Sequence, residues 1–189
     1  VTAADGDVTI TSATGNLNVG LVSANGRRSS ANTTGNTVTL TATAGAIADA
    51  DGGAANDVAA TNLAMTAATG IGTAADPLEV TVDNLEASGG TGGVYVTDLA
   101  GGVILGGATP ILGGVTVTGG DIVITALSPI TVLEAVTNSG GGDIVLTAAG
   151  SAMFDDITVN APITAAGGDG SITLLAADSV AQNANLSAV

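Results

Sequence analysis

Five short segments of this chain repeat one pattern, and that pattern limits the folds open to it. Each segment has a Gly one or two residues before it and an aliphatic residue at its second and fourth positions, with mostly Thr or Val between. Strand side chains alternate between two faces, so each segment would place both aliphatic residues on one face, which we take to be the core. The aliphatic pairs are Val8/Ile10, Val38/Leu40, Ile122/Ile124, Ile144/Leu146 and Ile172/Leu174, with shorter copies at Val80/Val82, Val94/Val96 and Val115/Val117.

The spacing of these copies indicates a stack of coils. It is 22 residues from Ile122 to Ile144, 28 from Ile144 to Ile172 and 30 from Val8 to Val38. A variable period of roughly 20 to 30 residues, with Gly at the corners and no helical pattern, is typical of a parallel β-solenoid. Weaker strands, such as 15–19, 130–133 and 157–159, would form the other sides of each coil. We predict an all-β, single-domain solenoid over residues 1–189, with no linker.

Small side chains agree with a narrow core. The chain has no Trp, one Tyr and one Phe, whereas Ala, Gly and Thr supply 35, 29 and 27 of its 189 residues. A thick globular interior needs bulky side chains to reach native packing density. A slim solenoid needs only Ala, Val, Ile and Thr, with Gly and Asn at the turns.

Charge and composition exclude several partners. The net charge is −15, with 17 acidic residues against the single basic pair Arg27-Arg28. Nucleic-acid binding needs clustered Lys and Arg, so we expect none. No run of about 18 apolar residues exists for a spanning helix, so we expect no membrane insertion. With no Cys and no His, thiolate metal sites and most catalytic chemistry are also excluded.

Two parts of the chain resemble the filamentous-haemagglutinin-like family of large bacterial surface adhesins. One is 70–87 running on to 93–96, and the other is the phrase Gly-Gly-Asp-Ile-Val-hydrophobic-Thr-Ala at 119–126 and 141–148. The resemblance implies a right-handed parallel β-helix in a secreted, cell-surface or matrix fibre with an adhesive or scaffolding role. It carries over no catalytic residue.

Acidic turns are the main candidates for a ligand site. The pairs Asp5/Asp7, Asp49/Asp51 and Asp155/Asp156 and the turn 167–170 could offer oxygen ligands to calcium. We interpret them as solvated turn acids, with weak calcium sites as the alternative, and predict no cofactor, no dedicated metal site and no catalytic residue. A polysaccharide-degrading pair of carboxylates is disfavoured because aromatic residues for sugar stacking are missing.

Other features allow further interpretations. Loops 25–32 and 49–57 are predicted to bulge from the coils, and Arg27-Arg28 could dock on a neighbour's Asp-rich loop. Tyr95 is expected on an outer face. Thr rows at 9/11, 37/39/41 and 116/118 suggest an ice-binding face, although Val123, Val145 and Leu175 interrupt them. These three residues and the run 103–105 would form an outward apolar strip for lateral association.

The two ends of the sequence suggest continuity. Residues 185–189 read directly into 1–8 give a phrase like the interior ones, and neither end resembles a polar cap. We therefore expect one unit of a longer array or filament, extended end to end by strand addition between copies or tandem repeats. An adhesin segment that binds surface glycans or a host surface through its side loops is the alternative. In either case we expect an extracellular location and no enzymatic activity.

Overall fold

The protein is built almost entirely from short parallel strands. A computed structural model describes residues 1–4, 6–24, 35–150 and 154–189, and these residues contain β strands and turns but no helix. The strands are β1 (Val8–Ser12), β2 (Leu17–Val19), β3 (Val22–Ser23), β4 (Thr37–Ala42), β5 (Ile47–Asp49), β6 (Val58–Ala59), β7 (Asn62–Ala67), β8 (Leu78–Thr81), β9 (Asn84–Gly89), β10 (Val94–Asp98), β11 (Val103–Leu105), β12 (Val115–Val117), β13 (Ile122–Ala126), β14 (Ile130–Val132), β15 (Val136–Asn138), β16 (Ile144–Ala148), β17 (Ile157–Val159), β18 (Ile163–Ala165), β19 (Ile172–Ala176), β20 (Val180–Gln182) and β21 (Leu186–Ala188).

The strands pair in parallel from one coil to the next, and those of the inner coils pair on both edges, so the chain forms a β-solenoid. One sheet, here called sheet 1, runs β1, β4, β7, β9 and then continues in two branches, β11-β14-β17-β20 and β12-β15-β18-β21. Sheet 2 runs β3, β6, β8, β10, β13, β16, β19, with the pair β2-β5 beside its first strands. The predicted all-β parallel solenoid is confirmed.

The register confirms the predicted coil lengths and core. Val8 pairs with Val38, Ile122 with Ile144 and Ile144 with Ile172, which reproduces spacings of 30, 22 and 28 residues. The inward aliphatic residues of the middle coils are fully buried, among them Val38, Leu40, Ile122, Ile124, Ile144 and Leu146. Thr and Val at the intervening positions of these strands stay partly exposed. The core is therefore a narrow column of aliphatic side chains stacked along the solenoid.

The five repeated segments do not all occupy one side of the solenoid. The segments at 7–11 and 37–41 form β1 and β4 of sheet 1, whereas those at 121–125, 143–147 and 171–175 form β13, β16 and β19 of sheet 2. Alternation specifies that the aliphatic residues face the core, and it carries no information about which side of the coil a strand occupies. One sequence pattern thus serves two sides.

The cross-section changes at β9 and β10. Before this point each coil contributes one long strand to sheet 1 and two short strands, such as β2 and β3, to the opposite side. After it, each coil contributes one long strand to sheet 2 and two short strands to sheet 1. β9 pairs along its whole length with β7, and on its other edge with β11 and then with β12. β10 in turn follows two short pieces, the Ile71 bridge and β8.

A nine-residue insertion, 106–114, fills the break between β11 and β12. Leu85 pairs with Leu105 and Ala87 with Val115, which leaves Glu86 without a strand partner in the next coil. Its carboxylate instead accepts hydrogen bonds from the backbone N–H of Ala108 (3.1 Å), the N–H of Thr109 (3.0 Å) and the Thr109 hydroxyl (2.7 Å). The sequence analysis missed this insertion.

Candidate metal centre

Residues 50–56 form a second insertion, between β5 and β6, which contains Asp51 and is flanked by Asp49 and Asp57. Residues 50–55 are exposed, so the predicted bulge at 49–57 is confirmed. Asp49 Oδ1 accepts the backbone N–H of Asp51 at 2.9 Å, and Asp51 Oδ1 accepts that of Gly53 at 2.9 Å. Carboxylates that accept nearby backbone N–H groups stabilise tight turns. The loop therefore folds around its own acidic side chains.

A third carboxylate joins them where the chain returns to the sheet. One carboxylate oxygen from each of Asp49, Asp51 and Asp57 lies within 4.8 Å of the other two. Asp57 is buried and is held by its pairing with Glu79, since the Asp57 N–H donates to the Glu79 carbonyl (2.9 Å) and Asp57 Oδ2 accepts the Glu79 N–H (3.1 Å). Strand pairing thus brings residues from two coils to one corner.

Glu79 adds a buried carboxylate beside this cluster. Only 5% of the residue is exposed, and its Oε2 has no hydrogen-bond partner. Its side chain lies within hydrogen-bonding reach of the Asp57 carboxyl, and the charge of Asp49 acts on it directly. Asp49 Oδ2 is also buried without a partner. Buried polar atoms are rarely left unsatisfied, which makes these two oxygens unusual.

The electrostatics of the corner disfavour so many negative charges. Burial, followed by smaller contributions from the charges of Asp49 and Glu79, raises the pKa of Asp57 to about 7. Burial and the charge of Asp49 also raise the pKa of Glu79. The pKa of Asp49 is lowered, chiefly by the hydrogen bond from the Asp51 N–H. The turn therefore keeps one carboxylate ionised next to two whose charged forms are costly.

Of these four residues, the sequence analysis singled out only Asp49 and Asp51. Asp57 could have been added, because it closes the same predicted loop. Glu79 could not, because its approach depends on the 22-residue register between β6 and β8, in which Val58 pairs with Val80.

The other acidic candidates have a different role. Asp7, Asp121, Asp143 and Asp156 each accept a backbone N–H from the next coil, at 2.8 to 3.0 Å. Asp155 is buried beside Asp156, and Asp169 in the turn 167–170 is exposed. Asp5 lies outside the described residues. Two acids interpreted as solvated turns, Asp7 and Asp156, are thus axial hydrogen-bond acceptors that tie one coil to the next, as are Asp121 and Asp143, which were not among the candidates.

The outer faces separate the Thr rows from the apolar residues. On sheet 1, one hydroxyl residue per coil forms an unbroken column, none of whose members is buried: Thr11, Thr41, Thr66, Ser88, Thr116, Thr137, Thr164 and Ser187. Val123 and Val145 lie on sheet 2, in a column with Tyr95. Tyr95 is on an outer face as predicted, with its hydroxyl 3.3 Å from Asp121 Oδ2.

The predicted apolar strip is wrong in part. Val103 and Leu105 are buried in the core, and only Ile104 of that run faces outward. Leu175 is exposed, but it belongs to the column of Thr125 and Thr147, not to that of Val145. The run 103–105 alternates like any other strand here, so its three apolar residues divide between the two faces.

Comparisons with other proteins do not identify a family. Scans against protein-family models, curated proteins and solved structures each find no match. The described residues contain no helix that is long and apolar enough to cross a membrane. The whole of the predicted loop 25–32, with Arg27 and Arg28, lies outside the described residues. The chain is a β-helix repeat protein by its fold.

Proposed function

We propose that this chain is a structural module of an extracellular or cell-surface fibre, extended end to end by strand addition. The supporting observation is that the core is open at its last coil. Ile144, Ile157 and Ile163 are fully buried, whereas the residues that continue their columns, Ile172, Val180 and Leu186, are not, and Val180 is 45% exposed. A further coil would bury these aliphatic side chains and pair the free strand edges.

The first coil offers the matching edge. Ile10 and Leu17 are only partly buried, although their partners in the next coil, Leu40 and Ile47, are fully buried. The added coil could come from a second copy of the chain or from tandem repeats in a longer polypeptide. A head-to-tail contact of this kind does not close on itself, so it generates filaments.

The interior of the solenoid contains a precedent for such a joint. Stacking β1 after β20 and β21 would set one long strand on two short ones. Stacking β2 and Thr2 after β19 would do the reverse, because Thr2 already pairs with Ser23 on the outer edge of β3. Both kinds of step occur inside the chain, where β8 and the Ile71 bridge precede β10, and where β9 precedes β11 and β12. The difference in shape between the two ends is therefore no obstacle.

Electron microscopy of the purified chain over a hundredfold range of concentration tests this proposal. We expect filaments that lengthen with concentration and give a layer line at about 4.8 Å along the axis. Val180→Lys, which places a charge on the open end of the core, should abolish growth. Ala181→Lys adds the same charge to the outer side of β20, because Ala181 pairs with the outward Thr158, and should leave growth intact.

Short rods whose length does not change with concentration would contradict the proposal. That result would favour the alternative, an adhesin segment that binds surface glycans or a host surface through the exposed loop at 50–55. Glycan-array binding that is lost on deletion of this loop would then be the supporting observation. The cell-surface setting itself rests on the resemblance of the repeated phrases to filamentous-haemagglutinin-like adhesins.

A further inference from the structure

We propose that the corner formed by Asp49, Asp51 and Asp57, with the buried Glu79 beside it, binds a calcium ion. The proposal starts from geometry. Two oxygen ligands of the same Ca²⁺ ion can be at most about 5 Å apart, because each Ca–O distance is about 2.3–2.6 Å. One oxygen from each of the three Asp residues falls within 4.8 Å of the other two, so all three can reach a single ion.

The second, independent observation is the buried carboxylate of Glu79. An acidic cluster at a surface turn can simply be hydrated, but Glu79 is 95% removed from solvent and its Oε2 has no partner. Asp49 as a residue is partly exposed, but its Oδ2 atom is also buried without a hydrogen-bond partner. Leaving a charged oxygen buried without a partner is costly, and a cation held by the three Asp carboxylates would offset that cost.

No basic side chain in the described part of the chain can supply the missing positive charge. The two basic residues, Arg27 and Arg28, are outside it. A fifth acid, Asp76, lies close by: a Cβ at Gly52 would be 4.0 Å from its Oδ1, and its charge acts on Glu79. The local excess of negative charge therefore calls for a mobile cation.

The ligand set favours calcium over other divalent ions. All the candidate ligands are carboxylate oxygens, which hard cations prefer, and neither His nor Cys is present in the chain. The three carboxylates within reach of one ion come from one loop and its flanks, and Glu79, beside Asp57, comes from the next coil. Such a set suits the flexible coordination of Ca²⁺ better than the strict octahedron of Mg²⁺. Bound calcium would fasten the insertion at 50–56 to the solenoid.

Calorimetric titration of the chelator-treated, full 189-residue chain with CaCl₂ tests the site. We expect one ion per chain with a Kd between about 10⁻⁵ and 10⁻³ M, and at least about tenfold weaker binding of MgCl₂. Asp51→Asn and Glu79→Gln should each weaken calcium binding at least about tenfold. Asp51→Asn keeps the Oδ1 acceptor for the Gly53 N–H, so the turn remains intact. Asp169→Asn makes the same charge change in another exposed turn and should bind as the wild type does.

Thermal unfolding with CaCl₂ and with chelator separates loss of the site from loss of the fold. The wild type and Asp169→Asn should melt higher in calcium, whereas Glu79→Gln should not respond to calcium. Without calcium, Glu79→Gln should melt no lower than the wild type, because it removes an unpartnered buried charge. Absence of saturable binding, or equal binding by all four proteins, would overturn the proposal. Titration of the Val180→Lys variant with CaCl₂ should give the same calcium binding as the wild type, because this variant blocks end-to-end stacking and leaves the acidic corner unchanged.

Discussion

At the scale of single residues, the acidic side chains fall into distinct environments. Those at strand starts, such as Asp143, accept an N–H and a hydroxyl from Ser171 of the next coil, and these bonds lower the pKa of Asp143. Asp98 is the opposite case. It shares the inward face of β10 with Val94 and Val96 and is fully buried, and burial raises its pKa to about 7. Position within the coil, not residue type, decides whether an Asp carboxylate links two coils by hydrogen bonds or destabilises the folded chain when it is ionised.

Asp98 should make stability fall as the pH rises. The unfolded chain releases this proton near pH 4 and the folded chain releases it only near pH 7, so between these values the folded state alone holds it. The contribution of Asp98 to stability is therefore greatest below about pH 4 and declines up to about pH 7. The strand partners Val80 and Ala126 are uncharged, and Asp83 is the charged group that adds to the shift.

Asp98→Asn should remove this decline and retain the acceptor for the Val82 N–H. At pH 8 we expect the variant to be more stable than the wild type, by about 4 kcal/mol, with the difference vanishing below about pH 4. Urea unfolding followed by circular dichroism from pH 4 to 8 measures it. Asp169→Asn, in an exposed turn, is the control. Parallel curves for Asp98→Asn and the wild type would show that Asp98 is ionised in the folded chain throughout.

At the scale of strands, the pattern in the sequence predicts pairing but not position around the coil. Ile122, Ile144 and Ile172 could be aligned because alternation and a Gly-flanked phrase recur, and the structure pairs them in that register. No sequence feature marks the change at β9, where sheet 1 passes from one long strand per coil to two short ones, because Leu85, Ala87 and Gly89 alternate like the residues of any other strand. The pairing of one strand with two depends on the insertion at 106–114, which local periodicity does not report.

Glu86 should hold that insertion in place. Replacing it by Ala leaves two backbone N–H groups and a hydroxyl without their acceptor, at a cost of about 1–3 kcal/mol in unfolding free energy. Hydrogen exchange should show the amides of Ala108 and Thr109 losing at least about tenfold of their protection. The amide of Val115, in strand β12 itself, donates to Ala135 and should change much less. Unaltered protection at 108 and 109 would mean that the loop is held by other contacts.

At the scale of the whole molecule, two properties act against each other. The open ends favour addition of further coils, while a net charge of −15 makes successive units repel. Strand addition relies on backbone hydrogen bonds and apolar contact, which salt barely weakens. Repulsion between exposed charges is sensitive to salt, because the Debye length that limits its range falls from about 30 Å at 0.01 M salt to about 8 Å at 0.15 M. The balance between them should therefore depend on ionic strength.

Raising NaCl from about 0.01 to 0.15 M should lengthen the assemblies and lower the concentration at which they form. Sedimentation velocity and light scattering, with chelator present to exclude calcium binding, measure both. Val180→Lys should remain short at every salt concentration, and Ala181→Lys should follow the wild type. Assemblies that shorten as salt rises would show that ion pairs hold the units together, as expected if Arg27-Arg28 docks on the acidic loop of a neighbour; strand addition would then not be the main contact.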